Sequence, residues 1–310
     1  SKMGNFSEAE KLLRECLDFR LALFGESHPS TADAYNRIGG VLADQGKYNE
    51  SVKYYRTALE ILQTCLDKNH PDLATAYNDL ATVYSDLGEL DVALEYYNFA
   101  LQIRIKAFGD NHPEVAWSFN NIGTLYGERG FHNLELYNYK RAHKIYKNWF
   151  GKNHPEVVDS YSNIGSVYDD MGLYDKALEK LTKGLKLAIN FYGDSHPKIA
   201  SILYNLGLVH SHQSKYKNAL QYYKKCLKIR GKFFKTIHPD FASIYRNMGA
   251  IFHKAGYTDL SLQTALKGLV INKKIFKDDH HKIVGAKTNL FVIERRKDLL
   301  QDPILNDSLI

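Results

Sequence analysis

The sequence predicts an all-α solenoid of stacked antiparallel helix pairs, and three observations carry that prediction. A His-Pro pair recurs every 42 residues, from His28-Pro29 to His238-Pro239, and accounts for six of the seven prolines. A glycine recurs at the same interval, from Gly4 to Gly256, with Ser214 in the one missing slot. Apolar residues between these marks fall at helical spacing. A fixed period of about 20–50 residues is typical of solenoids or propellers, and the helical spacing favours the solenoid.

The first helix of each repeat, helix A, is expected to begin at the His-Pro pair. Proline suits the first turn of a helix because its missing N–H would have no partner there. Acidic residues such as Asp72 and Glu114 follow the proline and would lie beside the positive helix end. In one repeat the apolar face consists of Val115, Phe119, Ile122, Leu125 and Tyr126. Helix A is therefore amphipathic and ends at the recurring glycine.

The second helix, helix B, is expected to run from the turn glycine to an aromatic residue or leucine. The stretch after Gly88 is amphipathic, and a further glycine stands where a left-handed residue would end helix B, at Gly25, Gly109, Gly151 and Gly193. Small residues mark where the two helices of a repeat touch. Cys16 and Cys226 fall in one such column and are expected to pack as small apolar residues.

Glu135 departs from a second column of small residues, in which the other repeats have Ala or Ser. A buried carboxylate without a partner would be costly. We therefore expect either a shifted or locally opened helix B in that repeat, or a pairing of Glu135 with a nearby Lys, Arg or Tyr.

These elements give one solenoid over residues 1–300 and a tail or cap over residues 301–310. The solenoid holds a partial repeat, six complete repeats and a final helix, about 14 helices in all, at 1–27, 28–69, 70–111, 112–153, 154–195, 196–237, 238–279 and 280–300. Gly4 is in register with the turn glycines. Residue 1 is therefore expected to lie near the end of a helix A, within a larger protein.

Composition narrows the class of protein. The chain has 310 residues, 44% hydrophobic and 25% charged, which is typical of a folded protein. No apolar run approaches the roughly 18 residues of a membrane span. Three scattered cysteines favour a reducing, cytoplasmic location. Residues 1–100 carry 9 Lys and Arg against 16 Asp and Glu, whereas residues 201–300 carry 19 against 6, and such asymmetry bears on partners.

The sequence gives no support for catalysis, a metal or a cofactor, and we expect none. It has no Gly-rich phosphate loop and no H-E-x-x-H or G-x-S-x-G motif. Histidines of successive repeats cannot share zinc, because stacked helices lie about 8–10 Å apart and zinc needs nitrogens about 2 Å away. A structural role at the join is expected instead. His210 and His212 form a poor chelating pair, and Asp169 and Asp170 are expected to be solvated.

The repeats resemble the tetratricopeptide repeat in the pattern N-x-x-G-x-x-Y…G-x-Y-x-x-A-x-x-Y-Y-x-x-A-L-x-I, and those of kinesin light chains in the join F-G-x-x-H-P-x-x-A…N-N-I-G. The usual repeat has about 34 residues, and the additional ones here lengthen helix B and its loop. The resemblance implies a right-handed superhelix whose A helices line a concave groove. It further implies an interaction scaffold or adaptor that binds a peptide segment of a partner, with kinesin-light-chain-like cargo recognition as one form. The coiled-coil segment of the light chains has no counterpart here.

The resemblance places the second, fifth, sixth, ninth, twelfth and thirteenth positions of helix A in the groove. Asparagine recurs at the fifth and sixth, and its amide can hold the backbone of an extended peptide because it both donates and accepts hydrogen bonds. Trp117 falls at the second position, where an exposed aromatic ring would anchor a partner side chain. The predicted peptide-binding residues are Asn78, Trp117, Asn120, Asn121, Asn163, Tyr204, Asn205, Arg246, Asn247, Lys254, Asn289 and Arg296. Two alternatives stay open: the amides bond one another, or Trp117 packs under a neighbouring repeat.

Charges on the predicted groove follow the gradient along the chain. Early repeats offer carboxylates such as Asp79 and Asp86, and late repeats offer Arg246 and Lys254. We therefore expect a protein or peptide ligand whose acidic portion faces the C-terminal repeats. One alternative is nucleic-acid or anionic-surface binding by the lysines of residues 215–235, although their interleaved aromatic residues are expected in the core. Another is a non-catalytic interaction domain of a larger multidomain enzyme.

Overall fold

The computed structural model describes residues 2–234 and 238–275. Those ranges contain thirteen helices and no strand: α1 Lys2–Phe24, α2 Pro29–Asp44, α3 Tyr48–Cys65, α4 Pro71–Asp86, α5 Leu90–Phe108, α6 Pro113–Glu128, α7 His132–Phe150, α8 Pro155–Asp170, α9 Tyr174–Tyr192, α10 Pro197–His212, α11 Tyr216–Phe233, α12 Pro239–Lys254 and α13 Thr258–Ile275. The predicted all-α fold of consecutive A and B helices is confirmed. The helix expected at 280–300 and the tail at 301–310 lie outside the described residues.

Contacts between Cα atoms divide the chain into a first unit, residues 1–167, and a second unit, residues 168–310. In the first unit each helix from α1 to α6 packs against the next one, and α2 also touches α4. In the second unit the helices from α9 to α12 do the same, and α10 touches α12. Contacts between every second helix mean that A helices of successive repeats lie side by side.

Each described helix A begins at its histidine, and the imidazole caps it. Nδ1 of His112 accepts a hydrogen bond from the Glu114 N–H at 3.2 Å. The same bond, at 3.1–3.3 Å, is made by His28, His70, His154, His196 and His238. This acceptor satisfies a backbone donor that the first turn leaves without an intrahelical partner. The structural role predicted for these histidines is confirmed, and the bond assigns the ring proton to Nε2.

The same imidazoles stack on the residue that closes the preceding helix B. Ring centroids lie 3.9–4.5 Å apart, with interplanar angles of 11–27°, in the pairs Phe24–His28, Phe108–His112, Phe150–His154, Tyr192–His196 and Phe234–His238. The join therefore combines a cap and an aromatic stack in one side chain. The join after α3 differs, because Leu66 occupies the aromatic position and offers His70 no ring.

The turn between helices A and B requires a residue in the left-handed region. Glycine supplies it with φ of 72–82° at Gly46, Gly88, Gly130, Gly172 and Gly256. Ser214 fills the remaining turn with φ of 59°, although its Cβ makes this conformation less favourable than for glycine. The glycines predicted to end helix B also have positive φ, as at Gly109 with 81°.

The predicted interior of the repeat is confirmed in α6. Val115, Phe119, Ile122 and Leu125 are each at most 7% exposed. The small-residue columns are also buried, and Cys226 lies among them with 0% exposure. The prediction for Cys16 is wrong, since its side chain is exposed. The column packs against helix A of the same repeat, and the described residues include no helix A ahead of α1.

The turn expected at Gly4 is also absent, because α1 is continuous from Lys2 and includes that glycine. Lys2 and Met3 belong to α1, so they extend helix B instead of forming a separate helix. The glycine period therefore predicts a turn only where a helix A exists on its N-terminal side.

Glu135 is accommodated without a shift of its helix. The helix that holds it, α7, starts and ends 42 residues after α5, so the expected displacement or local opening is wrong. Glu135 is 8% exposed, and its Oε2 lies 3.0 Å from Nδ1 of His132. A Cβ added to Gly127 would lie 2.6 Å from Glu135 Oε1. In this repeat the larger residue, Glu135, is on helix B, and a glycine, Gly127, on helix A leaves space for its carboxylate.

Candidate functional site

The helix A face of the first unit is a surface that carries five of the twelve predicted binding residues. We use this name for the side chains at the second, fifth and sixth positions of its A helices: Asp33, Asn36, Arg37, Thr75, Asn78, Asp79, Trp117, Asn120, Asn121, Asp159, Ser162 and Asn163. The corresponding face of the second unit consists of Ser201, Tyr204, Asn205, Ser243, Arg246 and Asn247.

Amides on this face are hydrogen-bonded between successive A helices. Asn121 Nδ2 donates to Asn78 Oδ1 at 2.7 Å, and Asn36 Nδ2 donates to Asp79 Oδ2 at 3.2 Å. Each bond joins residues 43 apart, so the fifth position of one helix meets the sixth position of the next. Part of the asparagine ladder therefore connects repeats. Asn78, at 3% exposure, is buried in that contact.

Two other predicted asparagines of the first unit are less enclosed. Asn120 is half-buried, and its Nδ2 donates to the Tyr146 hydroxyl at 3.3 Å. Its Oδ1 is buried and accepts no hydrogen bond from the described residues. Asn163 is half-buried on the next helix A. Asn120 thus has a buried acceptor that the described residues leave unused.

Trp117 is 40% exposed, and its inner face lies against an arginine. The Arg104 guanidinium carbon is 4.5 Å from the centroid of the indole, a cation–π geometry. Arg104 itself is only 2% exposed; its Nη1 donates to Ser118 Oγ at 2.7 Å, and its Nε lies 3.3 Å from Glu114 Oε2. Burial lowers the pKa of Arg104, and the Glu114 carboxylate opposes that shift. Trp117 is therefore held flat on a buried cation with its outer face free.

Arg104 is a residue of the candidate site that the sequence interpretation missed. A signal was present, because Arg20 and Arg230 occupy the same column of helix B. Arg20 bonds Asp33, and Arg230 pairs with Asp240, in each case on the following helix A. A cation in this column thus marks an ion pair between consecutive helices.

Carboxylates dominate the charge near the helix A face of the first unit. Burial raises the pKa of Asp79 to about 6, while a hydrogen bond from Asn78 and the charge of Arg104 oppose the shift. Asp86 is exposed as a residue, but partial burial of its carboxylate raises its pKa, and the charge of the nearby Glu128 adds to that shift. The one exposed cation of the face, Arg37, is bonded to Asp33 through Nε at 2.9 Å. The field of this face therefore favours basic or neutral ligand groups.

In the second unit the predicted residues again connect A helices. Asn247 Nδ2 donates to the Tyr204 hydroxyl at 2.9 Å, another pair 43 residues apart. The Tyr204 ring lies 5.8 Å from that of Tyr223, which is fully buried. Asn205 is half-buried, whereas Arg246 and Lys254 are exposed. The exposed predicted residues of the second unit, Arg246 and Lys254, are thus cationic.

An Asp–His pair replaces the solvated carboxylate expected at Asp169. Asp169 is 8% exposed, and its two carboxylate oxygens lie 2.9 and 3.0 Å from His212 Nδ1. Burial raises the pKa of Asp169, and the contact with His212 opposes the shift. Only Asp170 is exposed as expected. The two side chains lie on successive A helices, again 43 residues apart, so the pair is a further connection between repeats.

The basic stretch of α11 presents its lysines to solvent. Its exposed lysines are Lys215, Lys217, Lys224, Lys225, Lys228 and Lys232. Tyr223 lies in the core as expected, but Phe233 is 53% exposed, so the assignment of all its aromatic residues to the core is wrong. Phe233 is the last residue of the helix, and the residue after it, Phe234, is the one that packs against Phe241 and Ala242 of α12.

Asn289 and Arg296 lie outside the described residues. Within residues 2–234 and 238–275, no group of three or more His, Cys, Asp or Glu side chains is arranged to hold a metal ion. In the same ranges, no helix combines the length and the hydropathy that crossing a membrane requires.

Comparisons with known proteins agree with this geometry. A family model described as tetratricopeptide repeat matches residues 1–64, 30–98, 72–148, 136–190 and 156–232. No curated protein matches the sequence. Among solved structures, BtubC (BKLC) from P. vanneervenii is 21% identical, with a TM-score of 0.60 over 75% of this chain and 91% of that one. The nearly identical TPR-like repeats of a kinesin light chain-like protein from Podosopora anserina are 18% identical, with a TM-score of 0.58 over 66% and 97%. At these identities the likeness concerns the fold.

Proposed function

This chain belongs to the tetratricopeptide repeat family, and we propose that its helix A faces bind an extended segment of a partner protein. Repeats of this family are typically non-catalytic scaffolds for protein–protein interaction. The proposal assigns the scaffold a binding surface and a chemical preference. It makes the chain an adaptor that holds a peptide by its backbone and by one or two anchoring side chains.

The observation that carries the proposal is the contact between the exposed Trp117 ring and the buried Arg104 guanidinium. A large aromatic side chain that is 40% exposed and fixed from below by Arg104 offers apolar area with little loss of side-chain entropy on binding. Asn120 lies one turn further along the same helix with an unused acceptor. Together they supply an anchor for a side chain and a hydrogen bond for a main-chain N–H.

The charges supply the expected preference of each unit. The carboxylates around Asp79 and Asp86 favour a basic or neutral segment on the first unit, whereas Arg246 and Lys254 favour an acidic segment on the second. The fold likeness to kinesin light chain-like repeats makes a cargo or adaptor segment our preferred class of partner. A tryptophan-containing acidic peptide should then bind the second unit rather than the first.

A selection of displayed peptides on the full chain tests the proposal. The variant Trp117→Ser introduces the residue found at the same position in Ser201 and Ser243, so it should fold. We expect selected peptides to lose about tenfold or more in affinity for this variant and for Asn120→Ala. Charge reversal at Arg246 and Lys254 should weaken acidic peptides only.

The control is Thr57→Ala, a half-buried helix B position in the same unit whose hydroxyl donates to the Lys53 carbonyl of its own helix. It should leave affinities unchanged, and melting temperatures of all variants should be measured alongside. Selected peptides that bind Trp117→Ser, Asn120→Ala and the parent chain equally well would overturn the proposal.

A second candidate function rests on the five exposed lysines of α11 and on Lys215 just before that helix. A surface of this kind can bind nucleic acid through phosphate contacts, with an affinity that falls steeply as salt rises. Binding of single-stranded RNA should therefore be measured at two salt concentrations on the parent and on Lys224→Glu/Lys228→Glu. Loss of binding at high salt and in the variant would support this candidate.

A cytoplasmic location is likewise our proposal. The three cysteines of the sequence are free thiols in the structure, as a reducing compartment would maintain them.

A further inference from the structure

A cleft of about 340 Å³ opens in the first unit where α3 ends, beside the loop to α4 and the second half of α5. We call it the Leu66 pocket. Its apolar lining consists of Leu66, Leu73, Tyr77, Phe99 and Ile103. None of these residues belongs to the helix A face, so the pocket is a separate surface of the repeat.

The pocket exists because one join departs from the repeat. At the other described joins an aromatic ring closes helix B and stacks on the capping histidine at 3.9–4.5 Å. Here Leu66 takes the place of that ring. Leu66 is extended, with φ of −119° and ψ of 155°, and so is Phe234 after α11, with φ of −113° and ψ of 139°. The two joins share this backbone, so the smaller side chain is what sets the Leu66 join apart, and the cleft opens beside it.

The apolar lining of the pocket has a buried base and an exposed aromatic side. Leu73 and Ile103 are buried at its base, whereas Phe99 is 40% exposed with its ring 5.4 Å from that of Tyr77. In the next repeat the position of Phe99 is held by Arg141, whose guanidinium carbon lies 4.8 Å from the Phe119 ring. The arginine covers the equivalent aromatic there, while here the two rings face the cleft.

The rim of the pocket is basic within an acidic part of the chain. Lys68 and Lys106 are both exposed on it, and neither forms an ion pair with a carboxylate of the described residues. Residues 1–100 hold 9 Lys and Arg against 16 Asp and Glu, so Lys68 stands in an acidic part of the chain, and Lys106 adds a second cation to the same cleft. Gln63 and Gln102 add exposed amides to the same rim.

We propose that the Leu66 pocket binds a short segment of a partner protein in which a carboxylate flanks a large apolar side chain. The apolar side chain enters between Phe99 and Leu66, and the carboxylate lies between Lys68 and Lys106. The rim amides bond the main chain of the segment. This site goes beyond the proposed function, because a partner can occupy it while the helix A face is free or filled.

Peptide display on the full chain, followed by affinity measurement with labelled synthetic peptides, tests this inference. The informative variant is Leu66→Phe, which restores the residue type found at Phe24, Phe108 and Phe150 and fills the cleft. Its new ring can stack on His70, so its melting temperature should be unchanged or higher. We expect a class of selected peptides, with Asp or Glu within two positions of Phe, Trp or Leu, to lose about tenfold or more in affinity for it.

The double variant Lys68→Glu/Lys106→Glu should weaken the same peptides to a similar extent. The matched control is Lys144→Glu/Lys147→Glu, which makes the same charge change at exposed positions of α7 and should have no effect. Trp117→Ser should also leave these peptides unaffected, which separates this site from the helix A face. If no selected peptide loses affinity for Leu66→Phe, the inference is overturned, whether or not peptides sensitive to Trp117→Ser are found.

Discussion

Removal of a capping histidine should destabilise its helix by an amount that depends on the ring beneath it. At His112 the Nδ1 acceptor lies 3.2 Å from the Glu114 N–H, and the ring stacks on Phe108 at 4.5 Å. A cap of this kind contributes about 1 kcal/mol and an aromatic pair about 0.5–1.5 kcal/mol. His112→Ala should therefore lower the free energy of unfolding of its repeat by about 2 kcal/mol.

The matched position is His70. It makes the same cap at 3.2 Å to the Asp72 N–H but faces Leu66 instead of a ring. His70→Ala should lower the free energy of unfolding by about 1 kcal/mol, because only the cap is lost. The variant His112→Asn separates the two contributions at one site, since asparagine is a good cap but does not replace the stacked ring. It should recover about half of the loss caused by alanine.

Native-state hydrogen exchange followed by mass spectrometry is the appropriate assay, because repeat arrays can open locally. The segments 71–86 and 113–128 report on the two helices, and urea unfolding of each variant gives the overall loss. Equal losses for His70→Ala and His112→Ala would refute the contribution of the stack. No recovery in His112→Asn would refute the contribution of the cap.

Three further predictions concern single side chains. The pKa of Asp79 is raised above its unfolded value to about 6, so its contribution to stability is present in acid and is lost as pH rises through about 6. Asp79→Asn should therefore raise the free energy of unfolding by about 1–3 kcal/mol at about pH 7 and little at about pH 4. Urea titrations that give equal effects at the two pH values would contradict this prediction. Gly127→Ala should cost about 1 kcal/mol in the parent chain and be neutral or stabilising in Glu135→Ala, and additive effects in this double-mutant cycle would argue against a size exchange. Ser214→Gly should stabilise the chain by about 0.5–1 kcal/mol in thermal or urea unfolding, while Gly172→Ser, the matched control, should change stability in the opposite direction.

Much of the fold could be predicted because its signals are local and repeated. The His-Pro pair places the start of each helix A within one residue, since a histidine cap and a proline in the first turn act through the adjacent backbone. The turn glycines are equally informative, because a left-handed residue is needed wherever helix A reverses into helix B. Ser214 shows that the requirement belongs to the backbone and that glycine is only its usual solution.

The side-chain bonds between repeats could not be predicted from the period alone. Columns compare residues 42 apart, but the bonds Asn78–Asn121 and Tyr204–Asn247 join residues 43 apart. Neighbouring A helices lie side by side with adjacent positions facing each other, and that offset is a property of packing. The sequence interpretation therefore left open whether the asparagines bond one another, and it expected Asp169 to be solvated. Whether the remaining predicted side chains bind a peptide depends on a partner, and those assignments stay predictions.

The joins between repeats have a consequence for how such a chain can change length. Each join takes its ring from one repeat and its histidine from the next, and the partners come from the same residue classes almost throughout. Duplication or loss of one complete 42-residue repeat would therefore recreate an existing join rather than a new one. The contact between Gly127 and Glu135 lies within a single repeat and would be inherited with it. The pair of Asp169 and His212 joins two successive repeats, so recombination between those repeats would separate the partners and leave a buried carboxylate alone.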